Sequence, residues 1–162
     1  MTQKLSVDIN VEAGDWPETL QPLAEKVLGA ALENAGFEID GPCEISVLLT
    51  NDAAQQALNR EWRGKDKPTN VLSFPALEAD DAIEGLLGDI SLAYETLMRE
   101  ADQLEKPFEH HFAHLLVHGM LHVLGYDHET EDEALAMEAR ETDIMGLLGY
   151  PDPYDGQVLL ND

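Results

Sequence analysis

At 162 residues and 44% hydrophobic content, the chain has the size and composition of one globular domain, which reads as residues 1–162. Its 33 acidic residues against 9 Lys and Arg leave a net charge of −24, which argues against a polyanion held across the whole surface. No apolar run approaches the roughly 18 residues of a membrane span, the N-terminus lacks the basic and apolar blocks of a signal sequence, and Cys43 is the only cysteine, so the expectation is a cytoplasmic protein with no disulfide and no membrane partner.

Leu5, Val7, Ile9 and Val11 alternate with polar residues and predict a half-exposed strand. Residues 17–35 place Leu20, Leu23, Val27 and Ala31 on one helical face, with Pro17 near the start and Gly36 at the stop. The run 43–50 is a second strand, more continuously apolar and so more central, with Cys43 a buried structural thiol. Asn51 or Asp52 caps a short helix that runs toward Trp62. The segment REWRGKDK then gathers Arg60, Arg63, Lys65 and Lys67, four of the nine bases, into a local positive patch on an acidic body.

Residues 70–74 form a third strand that Pro75 ends, the acidic stretch 76–85 is an exposed loop, and 88–94 is a fourth strand through Ile90, Leu92 and Tyr94. Three helices follow, over 94–104, 107–124 and 130–148. The last has an apolar stripe of Ala134, Met137, Ile144 and Leu148 beneath seven acids from Glu129 to Asp143. This order predicts an α/β (α+β) fold, a small mixed four-stranded sheet packed with about five helices. The helix over 107–124 is apolar nearly all round from Phe112 to Leu124 and belongs in the middle of the molecule.

Chemistry concentrates in HGMLHVLGYDH, residues 118–128. His118 and His122 are four apart and share a helix face about 40° apart around the axis. Gly125 permits the left-handed turn that ends a helix and lets the chain bring His128 back to the same point. Three imidazole nitrogens at about 2.0–2.1 Å suit one Zn²⁺ per chain, with a fourth position kept for water, the pattern of a catalytic zinc. The stretch matches the long zinc-protease frame H-E-x-x-H-x-x-G-x-x-H at each ligand and at the glycine, but Gly119 stands where the protease has its glutamate general base. That disfavours peptide hydrolysis. His114 reads as a partly satisfied helix histidine, or else a contact behind the ligands or with substrate, while His110 and His111 near the helix start read as solvated.

With RGKDKPTNVLSFP and HGMLHVLGYDH together, and with LGDISL at 87–92 and LGYPDPY at 148–154, the chain resembles the YbeY family of bacterial endoribonucleases, also called rRNA maturation factors. The resemblance implies a zinc-dependent endoribonuclease specific for single strands, acting on ribosomal RNA, notably the 3′ end of the small-subunit RNA, and in ribosome quality control. It carries the metal ligands onto His118, His122 and His128, and a functionally important arginine onto Arg63. Ribosomal small-subunit proteins or assembly factors are the implied partners.

RNA cleavage needs an in-line nucleophile, neutralisation of charge on the phosphoryl oxygens and proton transfers at both ends. The catalytic residues expected are His118 and Arg63, whose planar guanidinium grips two phosphate oxygens, with Arg60, Lys65 and Lys67 positioning the strand. Attack by an activated water and attack by the ribose 2′-OH both remain open, and no general base is visible in the sequence. Asp127 is either an orienting contact for a histidine or a turn residue; Ser73 and Thr69 are polar contacts or local caps; Trp62 and Tyr126 stack on bases or belong to the core; Asp89 satisfies backbone donors. Four phosphate contacts would give a salt slope of only roughly −2.8 on single strands, so a ribosomal partner is expected to present the RNA. The rival readings are an assembly factor with structural zinc and a metal-dependent hydrolase of a non-RNA bond.

Overall fold

The computed structural model describes residues 5–78 and 80–154. Its strands are β1 (Leu5–Val11), β2 (Cys43–Thr50), β3 (Val71–Pro75) and β4 (Gly85–Ala93), and its helices are α1 (Leu20–Glu33), α2 (Asp52–Arg63), α3 (Tyr94–Gln103), α4 (Phe108–Val123) and α5 (Glu131–Leu147). The strands lie in the order β1-β2-β4-β3, with β1 and β4 parallel to β2 and β3 antiparallel to β4. The expected mixed four-stranded sheet with five helices is therefore present among the described residues. β2 sits between two neighbours, which explains its nearly unbroken apolar run.

Three expected boundaries shift. β4 starts at Gly85, inside the stretch read as loop, because Gly85 pairs with Cys43 at the start of β2. Tyr94 opens α3 instead of closing the strand. Pro75 lies within β3; on this edge strand the missing N–H costs no central ladder bond. At α2 the cap is Asn51, whose side chain accepts the Ala54 N–H at 2.9 Å. Asp52 instead accepts from the backbone and hydroxyl of Thr96, tying α2 to α3. α5 opens with a capping box in which Thr130 and Glu133 each accept the other's backbone N–H.

Register sorts the side chains onto two faces. Ile9, Val47, Ile90 and Ser73 stand in one row, and Asp8, Ser46, Asp89 and Phe74 stand in the row behind them. The first face packs on α1 and α4, around Leu20, Leu28, Phe112, Leu116 and Met120, all fully buried. α2 crosses the other face, where Gln55 donates to the Ser91 carbonyl at 2.9 Å and accepts from the Ser91 hydroxyl.

α4 touches α1, α3, α5, β3 and β4, the central place its all-round apolarity predicts. It comes close to the sheet at Gly119. A Cβ built there would lie 3.1 Å from Ile90 Cγ2 and 3.3 Å from Ser73 Oγ, and the Ser73 hydroxyl donates to the Gly119 carbonyl at 3.2 Å. A side chain at this position would thus crowd Ile90 and Ser73 from its first carbon. Gly119→Glu combines overpacking with a buried charge and is expected to cost about 3 kcal/mol or more in denaturant unfolding. Stability equal to that of the parent chain would contradict this seating of α4.

Candidate metal centre

Helical spacing puts His118 and His122 on one face of α4, their ring centroids 4.6 Å apart. Gly125, at φ +114, then turns the chain: its N–H bonds the His122 carbonyl at 3.0 Å, and the Tyr126 N–H bonds the Leu121 carbonyl at 2.9 Å. This is a Schellman ending, and few residues other than glycine accept its geometry. The return brings the His128 ring to 4.8 Å from His122 and 5.9 Å from His118. One ring nitrogen from each of the three lies within 4.8 Å of the others.

The partners of the other ring nitrogens decide how the site can act. His122 Nδ1 lies 3.0 Å from the Tyr126 carbonyl oxygen, which can only accept, so Nδ1 carries the proton and Nε2 keeps its lone pair. His118 Nδ1 lies 3.0 Å from Glu141 Oε2, and the same reasoning leaves Nε2 free to bind a metal. Backing of ligand histidines by a carboxylate or carbonyl is the arrangement metal sites use to set ring orientation. The donor set therefore fits a divalent, nitrogen-preferring ion. Burial, reinforced by His118 and His128, holds His122 down to a pKa of about 4, so its nitrogen is unprotonated at neutral pH.

Glu141 is completely buried on α5 and accepts three hydrogen bonds: from His118, from His114 Nε2 at 2.6 Å and from the Tyr154 hydroxyl at 2.6 Å. Burial alone would raise its pKa, but the bonds from His114 and His118 outweigh that and hold it below the usual carboxylate range. Burial likewise lowers the pKa of His114, keeping it neutral as a donor.

Arg63 lines the same cleft as the three histidines, a cavity of about 350 Å³ whose wall includes Ser73 and Pro75 of β3. Arg60, Lys65 and Lys67 are exposed and do not line it, and Arg60 pairs with Asp66 at 3.6 Å. His111 is not solvated: it is 1% exposed and bonded to Glu100 at 2.8 Å, because α3 covers that side of α4. His110 is half-buried against the Tyr150 ring. Asp127 accepts the His128 backbone N–H at 2.8 Å, the turn role. Tyr126 is structural, its hydroxyl donating to the Ala35 carbonyl and its ring packing edge-on to Phe37. Thr69 is buried, whereas Trp62 and Asp89 are exposed.

The sequence reading missed Glu141 and Tyr154. A signal for the first was available: Glu141 lies four residues after Met137 and three before Ile144, in register with the apolar stripe of α5. A carboxylate at a core position needs a buried partner.

A family model described as Endoribonuclease YbeY matches residues 7–149. The chain is 51% identical over 157 residues to a protein named Endoribonuclease YbeY from Bradyrhizobium sp. (strain BTAi1), covering 92% of each chain. It is 52% identical over 159 residues to the protein of the same name from Sinorhizobium medicae (strain WSM419), covering 93% of this chain and 95% of the relative. The solution structure of TM1509 from Thermotoga maritima superposes with a TM-score of 0.56 at 23% identity over 94% of this chain and 99% of that one, a likeness of fold.

The Glu141 cluster has a consequence for stability. Glu141 and His114 both have folded pKa values below their ordinary 4.5 and 6.5, so the unfolded chain binds protons more readily than the folded one as acid is added. Their contribution is complete above about pH 6.5 and is lost as pH falls, first through the histidine and then below 4.5 through the carboxylate. Thermal midpoints measured from pH 8 to 4 are expected to fall accordingly. Glu141→Gln should lower stability at pH 7.5 by about 3 kcal/mol and flatten the acid limb, and an unchanged profile would contradict this.

Proposed function

Since this chain belongs to the YbeY family of endoribonucleases, we propose that it cuts single-stranded RNA in the cleft between α4, β3 and the end of α2. The observation that carries the reading is the convergence of three histidine nitrogens and one arginine on a single cleft. His118, His122 and His128 hold one Zn²⁺, which suits three neutral nitrogen donors and a remaining open position. When bound, the ion supplies Lewis acidity and lowers the pKa of a coordinated water. Arg63 clamps the phosphoryl oxygens of the scissile bond, and Arg60, Lys65 and Lys67 guide the strand on either side. His118 is the ligand oriented by a buried carboxylate, Glu141, and with Arg63 it forms the catalytic pair.

Gly119 supports RNA over peptide as the substrate, since the position of a protease base carries no side chain and is crowded by Ile90 and Ser73. The whole chain, 1–162, acts as one metal-dependent hydrolase domain. Its work is the maturation of ribosomal RNA in the cytoplasm, notably the 3′ end of the small-subunit RNA, together with ribosome quality control. The net charge of −24 keeps intrinsic RNA affinity low and suits a basic partner, a small-subunit ribosomal protein or assembly factor, that presents the RNA. No described helix is long and apolar enough to cross a membrane.

Zinc-loaded protein incubated with a single-stranded RNA is expected to cleave it and to spare a duplex of the same sequence. His118→Ala should abolish cleavage while the chain stays folded. Arg63→Ala should lower kcat/KM by about 100-fold and make the salt slope shallower by about 0.7. Cleavage by His118→Ala at the parent rate would sink the nuclease site, and unfolding of the parent chain when its metal is removed by a chelator would favour a structural metal.

A further inference from the structure

Trp62 stands on the last turn of α2 with 65% of its surface in solvent, immediately before Arg63. An indole is a large apolar surface to leave in water. The ring is nevertheless held, meeting Phe74 edge-on with centroids 6.2 Å apart. Phe74 belongs to β3, and strand alternation sends it to the sheet face opposite Ser73 and Pro75, which wall the metal cleft. β3 is the edge strand, so a second groove lies across a single strand from the cleft.

That groove has a volume of about 520 Å³ and is lined by Trp62, Phe74, Leu48 and Leu58 with Asp8 and Asp89. Its lining holds two carboxylates and no cation, whereas the cleft wall holds Arg63 and the three histidines with a single carboxylate, Asp127, which is turned to the His128 backbone N–H. A nucleic acid strand meeting these two surfaces is sorted by charge: phosphate goes to the arginine side, and a neutral base, whose amino groups can donate to carboxylates, goes to the indole side. Consecutive residues on α2 thus face the two chemical halves of one nucleotide.

We propose that Trp62 is a base-stacking platform, on which an unpaired nucleobase of the RNA substrate packs while Arg63 holds a neighbouring phosphate. The proposal rests on the nuclease reading above and deepens it. Any base presents a π-face, so the platform tolerates sequence, but a base within a duplex has its faces covered by its neighbours and cannot reach the indole. Trp62 therefore supplies preference for single strands, which the metal and Arg63, contacting only phosphate, cannot supply.

The chain has two tryptophans, and Trp16 is only 8% exposed, so quenching of emission by an added ligand reports Trp62. Zinc-loaded protein is titrated with a 2′-O-methyl single-stranded oligonucleotide and with an abasic strand of the same length, and RNA cleavage is followed in Trp62→Ala and Trp62→Phe. The proposal expects saturable quenching by the strand that carries bases and little by the abasic one. It expects kcat/KM on single-stranded RNA to fall about five- to hundredfold in Trp62→Ala, with most of the rate kept in Trp62→Phe. Equal quenching by both strands, or parent-like cleavage by Trp62→Ala with a normal melting curve, would overturn it while leaving the nuclease reading intact. Base-dependent quenching by a protein that cuts no RNA would uphold the platform and refute the nuclease. Loss of binding to a ribosomal protein in Trp62→Ala, with RNA quenching and cleavage unchanged, would overturn the platform in favour of a protein surface.

Discussion

A carboxylate with no exposure to solvent, held between two histidines of one helix and a tyrosine of the C-terminal segment, is the interaction on which the site depends. Glu141 joins α5 to α4 at the point where α4 carries the first histidine of the candidate metal centre. Without a partner, the charge would be costly in the core, and His114 and His118 would be polar groups pressed against apolar neighbours. Together, Glu141 is satisfied by three donors and each histidine gains a partner for one ring nitrogen, and the arrangement does a second thing at once. It fixes the proton on His118 Nδ1 and so aims the Nε2 lone pair into the cleft, as the Tyr126 carbonyl does for His122. Stability of the helix pair and orientation of the ligands are one set of hydrogen bonds.

Much of this was legible in the chain. Alternation marked β1, and a longer apolar run marked β2 as central; uniform apolarity put α4 in the middle, and the spacing of His118, His122, Gly125 and His128 brought three rings together. Those features are local, or follow from helix and turn geometry alone. What escaped were contacts between elements distant in sequence. The burial of His111 depends on α3, the pairing of Glu141 spans 23 residues to His118 and 27 to His114, and the extra length of β4 comes from its register with β2. The acid within the α5 stripe was a visible clue, masked by the many other acids around it.

The surface divides labour in a way that composition hides. A chain at −24 has little general attraction for RNA, yet α2 and the loop after it collect basic residues beside the cleft, and Arg63 alone enters its wall. Positive charge able to meet a polyanion is thus local, and the acidic remainder repels polyanions elsewhere on the surface. The close seating of Gly119 on Ile90 and Ser73 adds a steric reason why a protease-like ligand frame does not carry a protease base.

The central claim is that Glu141 organises the metal ligands, and zinc affinity tests it most directly. Chelator competition on the parent chain and on Glu141→Gln, at a pH and temperature where both are folded, should show affinity weakened about 10- to 100-fold in the variant. Equal affinities would contradict the account and leave Glu141 as a structural tie with no hold on the site.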